Sequence, residues 1–294
     1  MSPNFSTLDT AQIAQLQQWQ GRSEQMEDTI TAAPLRGLSA LLDRDDPRQD
    51  VGSEVPPLWH WLYFLPQAPQ HQLGVDGHPQ RGGFLPPVPL PRRMWAGGKF
   101  SWEVDNPLRA GDVAHKHSRI VSVQHKSGRT GDLVFVEVEH IIHNEKGPCL
   151  REIHEIVYRA TAQAGAPAPP PTSAPPHALW QRTYVPDPVG LFRYSALTFN
   201  GHRIHYDRSY VTQEEGYPGL VVHGPLIATL LIDLLRRQQP QNRLTSFEFR
   251  AVRPTFDLHP FCLNGQPNAN DRVADLWASD HEGCLTMSGQ AKWA

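Results

Sequence analysis

One stretch constrains the fold more than any other. From Phe199 to Leu235 the chain reads FNGHRIHYDRSYVTQEEGYPGLVVHGPLIATLLIDLL. Two histidines, an amide and an aspartate fall within the eight residues from Asn200 to Asp207, and a strongly apolar segment follows behind Gly224-Pro225. Glycine can cap a helix and proline fits its first position, so a helix is predicted from Pro225 to about Arg237. A helix that apolar needs a cover, and the rest of the chain supplies one. β-like segments follow at Leu244–Val252, about Phe261–Asn264, Val273–Ala278 and Leu285–Trp293. A long apolar helix wrapped by a curved antiparallel sheet is the expected unit, and the class is α+β.

The first half reads in a related way. Ala11–Gln20 and Ala32–Asp43 are expected helices, and the ring-rich Leu58–Leu65 (LWHWLYFL) suits a buried element. Pro86, Pro87, Pro89 and Pro91 make FLPPVPLPRRMW irregular, because proline removes backbone donors. Beyond Gly98 the pattern turns to strands at Val113–Gln124, Leu133–His140 and Leu150–Ala160, separated by turn residues at Lys126-Ser127-Gly128 and Glu145-Lys146-Gly147-Pro148. Val134, Val136 and Val138 share one face, and Glu137 and Glu139 the other. A further short strand is expected around Phe192–Phe199. Clustered proline and alanine in TAQAGAPAPPPTSAPP make residues 161–176 a semi-extended linker between an N-terminal domain (1–160) and a C-terminal domain (177–294). Both parts end in antiparallel strands, the mark of an internal duplication.

Composition narrows the function. The 294 residues suit roughly two domains of about 150. The net charge of −3, with no lysine/arginine block, argues against nucleic acid or an anionic membrane surface as partner. Three scattered cysteines offer neither a disulfide framework nor a C-x-x-C pair. The polar N-terminus has no hydrophobic targeting core. The run Gly219–Leu235 contains His223, Pro225 and Asp233 and is short for a membrane span. A cytoplasmic protein is expected.

His205 is the residue best suited to acid–base work, since a neutral imidazole takes and returns protons near neutral pH. Asn200 either orients a water or, as part of Asn200-Gly201, simply forms a turn. Gly224 offers an N–H at the positive end of a helix. His202, His205 and Asp207 make a thin ligand set without a fourth partner, and no metal is expected. There is no G-x-S-x-G, G-x-G-x-x-G or P-loop pattern. Arg92-Arg93, beside Met94-Trp95 in a proline-rich loop, can hold a phosphate or carboxylate or can merely brace the loop.

FNGHRIHYDRSY followed by GYPGLVVHGPLIATLL resembles the hydratase motif of the MaoC-like (R)-specific enoyl-CoA hydratases. In that motif an aspartate precedes the histidine by five positions. Here Asn200 takes the aspartate's place and His205 the histidine's, while His202 and Arg203 stand where asparagine and proline are usual. The chain is most similar to the branch holding 3-methylfumaryl-CoA (mesaconyl-C4-CoA) hydratases and mitochondrial-type (3R)-hydroxyacyl-ACP dehydratases. GGFLPPVPLPRRMWAGG (Gly82–Gly98) and EIVYR (Glu155–Arg159) carry the likeness through the first half.

The resemblance implies a double hotdog whose N-terminal repeat has lost its own motif and helix sequence. It also implies cofactor-independent addition of water across an α,β-unsaturated acyl-CoA. His205, Asn200 and Gly224 would be catalytic, and Arg203, His202, His223, Tyr217, Gly219, Arg92, Arg93 and Trp95 would contact substrate. The leading substrate is a short branched dicarboxylic enoyl-CoA, itaconyl-CoA or 3-methylfumaryl-CoA, giving citramalyl-CoA. The alternatives are a 3-hydroxyacyl-ACP/CoA dehydratase and a non-catalytic acyl-thioester binding protein. Two repeats in one chain already supply the pairing of a dimer, so a monomer or a homodimer of such chains is expected.

Overall fold

The computed structural model describes residues 8–128, 131–160, 170–268 and 272–294. Ten strands form one antiparallel sheet: β1 (Ser23–Thr29), β2 (Arg92–Trp102), β3 (Val113–Gly128), β4 (Gly131–Asn144), β5 (Gly147–Arg159), β6 (Trp180–Tyr184), β7 (Leu244–Ala251), β8 (Phe261–Asn268), β9 (Val273–Ser279) and β10 (Leu285–Trp293). Their spatial order is β1-β3-β4-β5-β2-β7-β10-β9-β8-β6. Numbered from its own start, each half runs first-third-fourth-fifth-second, and the two second strands meet at the centre. β2 and β7 pair there from Gly97↔Arg250 to Ser101↔Ser246. This is a double hotdog, α+β in class.

In the second half, helix α5 (Gly224–Gln238) lies in the curl of the sheet, with every residue from Leu226 to Leu235 buried. One of those is a carboxylate. Asp233 accepts from Arg182 at 2.6 Å, from Arg237 at 2.8 Å and from Arg44, so three guanidinium groups surround it. The corresponding place in the first half holds only the ten-residue helix α2 (Ala32–Leu41). The room that a longer helix would fill is taken by the aromatic segment expected to be buried: Leu58, Trp59, Leu62, Tyr63 and Phe64 are all at most 5% exposed. The first repeat has therefore kept a shortened helix rather than losing it.

A second core covers the other face of the first half. Val134, Val136 and Val138 pack there, as their alternation predicts, with Ile120, Tyr158, Leu16, Val88 and Leu90. Leu16 comes from helix α1 (Thr10–Gln17), which Asp9 caps by a reciprocal bond with Gln12. The proline-rich segment has acceptors without donors, and Arg81 supplies them, donating to the carbonyls of Val88 and Pro91 at 2.6 Å each and to that of Leu90.

Several expectations are corrected. Phe192–Phe199 is not a strand: helix α3 (Pro188–Leu197) occupies most of it, started by Asp187, whose carboxylate accepts from the N–H groups of Val189 and Gly190, and by proline in the first turn. β2 begins at Arg92, earlier than the proline spacing suggests. β1 has no apolar alternation, because SEQMEDT is an edge strand paired on one side only, with β3. Of the proline-rich stretch, residues 161–169 lie outside the described residues. Residues 170–176 form no helix, and Ser173 bridges to Cys284. Among the described residues no helix is long and apolar enough to cross a membrane.

Candidate functional site

The polar cluster is a loop hung between α3 and α5. Phe199 leaves α3 in the left-handed region (φ 48°), and Asn200 closes a turn by accepting the N–H of His202 on Oδ1 at 3.0 Å. Arg203–His205 then form a single 3-10 turn. Asp207 caps the short helix α4 (Arg208–Gln213) by accepting the N–H of Tyr210 at 3.0 Å. This path turns His205 inward, to 7% exposure. Its Nδ1 lies 2.7 Å from the carbonyl of Val221. A carbonyl only accepts, so Nδ1 carries the proton and Nε2 keeps its lone pair. Behind it the ring of His223 stacks at 3.7 Å, and the His223 Nε2 meets Ser195 Oγ at 2.8 Å.

His205 lines a cavity of about 980 Å³ built from both halves of the chain. Of the other residues expected at the site, Asn200, His202, Tyr217, Gly224, Arg93 and Trp95 also line it. Gly224 opens α5, and a Cβ added there would meet nothing within 4 Å. The positive end of the helix thus faces free space in the cavity, where a thioester oxygen can approach.

Four expected residues are placed elsewhere. Arg203 turns away: its guanidinium bonds Asp207 (2.7 and 3.0 Å) and the Val75 carbonyl (3.0 Å) and lies over the ring of Tyr210. Gly219 is a packing glycine, whose added Cβ would stand 2.8 Å from a carboxylate oxygen of Asp257. Arg92 braces Tyr217 from behind, donating to its hydroxyl at 3.3 Å and to the Glu215 carbonyl at 3.1 Å. His223 supports His205 rather than facing the cavity. The suspected ligand set of His202, His205 and Asp207 also dissolves, because Asp207 is spent on Arg203 and on the start of α4.

Sequence reasoning missed His78 and His154, both in the cavity wall. His154 lies against Trp95, ring centroids 3.9 Å apart. Asp76, His78 and His202 offer ligand atoms within 4.8 Å of one another. Both Asp76 oxygens accept from His78, and the His78 and His202 rings lie 4.0 Å apart at a 42° tilt. The local signal for His78 is weak: Asp76-Gly77 reads only as a turn.

The cavity cations differ in how they are paired. Lys99 binds Glu155 at 3.0 Å and Arg253 binds Asp280 at 3.1 Å. Among the described residues Arg93, Arg159 and Arg250 line the cavity without a carboxylate partner, and Arg93 bonds the Tyr158 hydroxyl. Burial holds His78, His154 and His202 in their neutral forms, and the charge of Arg93 adds to it.

Comparison with known proteins now decides the family. The family model described as hydroxyacyl-thioester dehydratase type 2 matches residues 58–257. The chain belongs to this family. It is 50% identical over 271 residues to the mesaconyl-C(4)-CoA hydratase of Chloroflexus aurantiacus, covering 92% of this chain and 95% of that one. It is 26% identical to the mitochondrial hydroxyacyl-thioester dehydratase type 2 of Schizosaccharomyces pombe, covering 83% and 90%. A Mycobacterium tuberculosis structure described as a double hotdog fold superposes with a TM-score of 0.54 at 12% identity, covering 94% and 96%. The chain is thus an enzyme of the hydro-lyase class, as its motif implies.

The burial of these imidazoles has a measurable consequence. Burial pushes His205 and His140 down to about 4, His154 to about 3 and His202 to about 2, against an ordinary value of 6.5. For each, the folded value lies below the unfolded one, so the unfolded chain binds more protons between the two. Stability is therefore full above about pH 6.5 and falls as pH drops toward 4. Urea midpoints at pH 8, 6.5, 5.5 and 4.5 check this. A midpoint that stays level down to pH 4.5 would contradict the buried, neutral state of these rings.

Asn200 gives a separable test. An aspartate could still accept the His202 N–H on one oxygen, so Asn200→Asp should keep the turn and the melting temperature within about 2 °C. It replaces the amide N–H₂ by an acceptor, and turnover should fall about tenfold or more if that group orients water. Unchanged kcat would leave Asn200 a turn former and nothing else.

Proposed function

We propose that this enzyme reversibly hydrates a short branched dicarboxylic enoyl-CoA, with 3-methylfumaryl-CoA (mesaconyl-C4-CoA) or itaconyl-CoA as substrate and citramalyl-CoA as product. The observation that carries the reading is one cavity shared by the free Nε2 of His205, the open start of α5 at Gly224, and Arg93 without a carboxylate partner. In the conjugated substrate the hydroxyl of a water adds to the β-carbon as its proton passes to the site. The enolate oxygen formed at the thioester lies at the positive end of α5, where the Gly224 N–H stabilises it. The α-carbon then takes a proton. No residue in this scheme needs a cofactor. The half-identical relative named for mesaconyl-C4-CoA supports the acyl group, and a cytoplasmic setting is part of the same proposal.

In this reading Arg93 holds the distal carboxylate, since the fold has committed Arg203 to Asp207. Hydration measured across a panel of dicarboxylic and monocarboxylic enoyl-CoAs and one enoyl-ACP tests it, together with Arg93→Met. A charge-assisted hydrogen bond is worth about 1.5–3 kcal/mol. KM for the dicarboxylic thioester should therefore rise about 10- to 100-fold in the variant, with a small change for a monocarboxylic one. Equal effects on both classes, or faster turnover of long acyl-ACP, would favour a 3-hydroxyacyl-ACP dehydratase instead.

A further inference from the structure

Asp76 and His78 lie outside the hydratase motif and have no role in the scheme above. They belong to a turn of the first repeat, closed by a bridge from Leu73 to Pro79, that docks backbone to backbone on the motif loop. The Asp76 carbonyl accepts the Arg203 N–H at 2.9 Å, and the Val75 carbonyl accepts from the Arg203 guanidinium at 3.0 Å. At Gly77 (φ +87°) an added Cβ would stand 1.9 Å from the Gly201 oxygen, so only glycine permits this approach. The turn is thus fixed against the site.

Within it, the Asp76 carboxylate serves one residue. Oδ1 accepts the His78 backbone N–H and Oδ2 faces His78 Nδ1, each at 3.0 Å. A carboxylate accepts, so Nδ1 holds the proton and Nε2 carries the lone pair, the same tautomer that Val221 imposes on His205. The His78 ring lies 4.0 Å from that of His202, and His202 stands edge-on to His205 at 5.4 Å. All three rings line the cavity. The motif itself brings no carboxylate there, because Asn200 is an amide and Asp207 is turned to Arg203. The row of rings ends instead in Asp76, contributed by the other half of the chain.

We propose that His78, oriented by Asp76, is the acid–base residue of the α-carbon, while His205 is that of the water. The inference rests on the hydration reading above. In the addition direction, His205 Nε2 takes a proton from water as the hydroxyl bonds to the β-carbon and the π electrons move to the thioester enolate. That proton leaves His205 to water in the cavity, and His78 Nε2 takes one from the same water, forming an imidazolium that the Asp76 carboxylate stabilises. His78 delivers it to the α-carbon as the enolate collapses, leaving both imidazoles neutral as they began. In the reverse direction His78 Nε2 removes the α-proton. His78 is then a catalytic residue and Asp76 a positioning residue.

The test follows the α-proton apart from the hydroxyl. A saturated thioester, methylsuccinyl-CoA, has no β-hydroxyl to lose, and its α-protons exchange in D₂O only by enolisation, read by mass spectrometry. The intact wild-type protein should catalyse this exchange. His78→Gln should lose exchange and hydration together, each by about 10²–10⁴-fold, with KM within about threefold of wild type. Asp76→Asn keeps the imidazole and should lower kcat and exchange about 10–100-fold at unchanged KM, and it serves if His78→Gln fails to fold. His205→Asn should lose far more hydration than exchange.

Hydration or exchange by His78→Gln and Asp76→Asn within threefold of wild type overturns the assignment and leaves the hydration reading standing. Exchange that depends on His78 in a protein hydrating no enoyl-CoA would instead overturn the hydration reading and keep His78 at the α-carbon.

Discussion

Replacing His205 by alanine should lower kcat about 10²–10⁴-fold, which is about 3–5 kcal/mol of transition-state stabilisation. The expectation follows from one geometric fact. With Nδ1 committed to Val221, Nε2 is the nitrogen left for chemistry, and the residue lines the cavity. The side chain is also buried and stacked on His223, so its removal leaves a void and should cost about 1–3 kcal/mol of stability. Loss of activity by unfolding must therefore be separated from loss of chemistry. His205→Asn does this, because its amide N–H₂ can still donate to the Val221 carbonyl while no group replaces Nε2. Both variants should be equally slow at temperatures well below their melting points. If His205→Asn turns over near the wild-type rate, the proton-transfer role of His205 is wrong.

The largest effect on stability is expected at Asp233. Its carboxylate is fully buried in α5 and accepts from Arg44, Arg182 and Arg237, whose side chains keep 13%, 25% and 32% of their exposure. Removing one partner of a buried ionic cluster costs about 3–5 kcal/mol, because the remaining charges lose their compensation. These arginines retain some solvent, so the lower end applies, and Asp233→Ala should lose about 3 kcal/mol. The cluster also joins segments far apart in sequence: Arg237 donates to the Leu42 carbonyl at 2.8 Å as well as to Asp233. The variant should therefore loosen the first repeat's α2 against α5, and hydrogen exchange in residues 38–44 should rise with it. A melting temperature within 2 °C of wild type would show that the ionic cluster adds nothing net.

What was legible in the sequence followed from local physics. The α5 helix announced itself through its apolar run and its Gly224-Pro225 start, and β4 through the alternation of Val134, Val136 and Val138. β1 was not legible, since an edge strand needs no apolar face, and α3 was obscured because Leu191 and Tyr194 bury like strand residues while Asp187-Pro188 marks a helix start. The motif loop gave His205, Asn200 and Gly224 because they are close in sequence. Arg203 was misjudged for the same reason: proximity in sequence to the cluster says nothing about where a long side chain goes, and Asp207 one turn later captures it. His78 was invisible because its meaning comes from a contact more than a hundred residues away, between Gly77 and Gly201.

The seam between β2 and β7 has a bearing on how this chain reaches its native state. It joins positions about 150 residues apart, and the cavity spans it. Contacts this remote form late, since their loop-closure entropy is offset only when much else is in place. Until then each half carries an open β2 or β7 edge with its N–H and C=O groups unpaired, the kind of edge that joins to another chain. During synthesis the N-terminal half emerges first and waits with β2 bare. The vulnerable interval for aggregation lies there, and catalytic competence arrives only in the step that closes the seam.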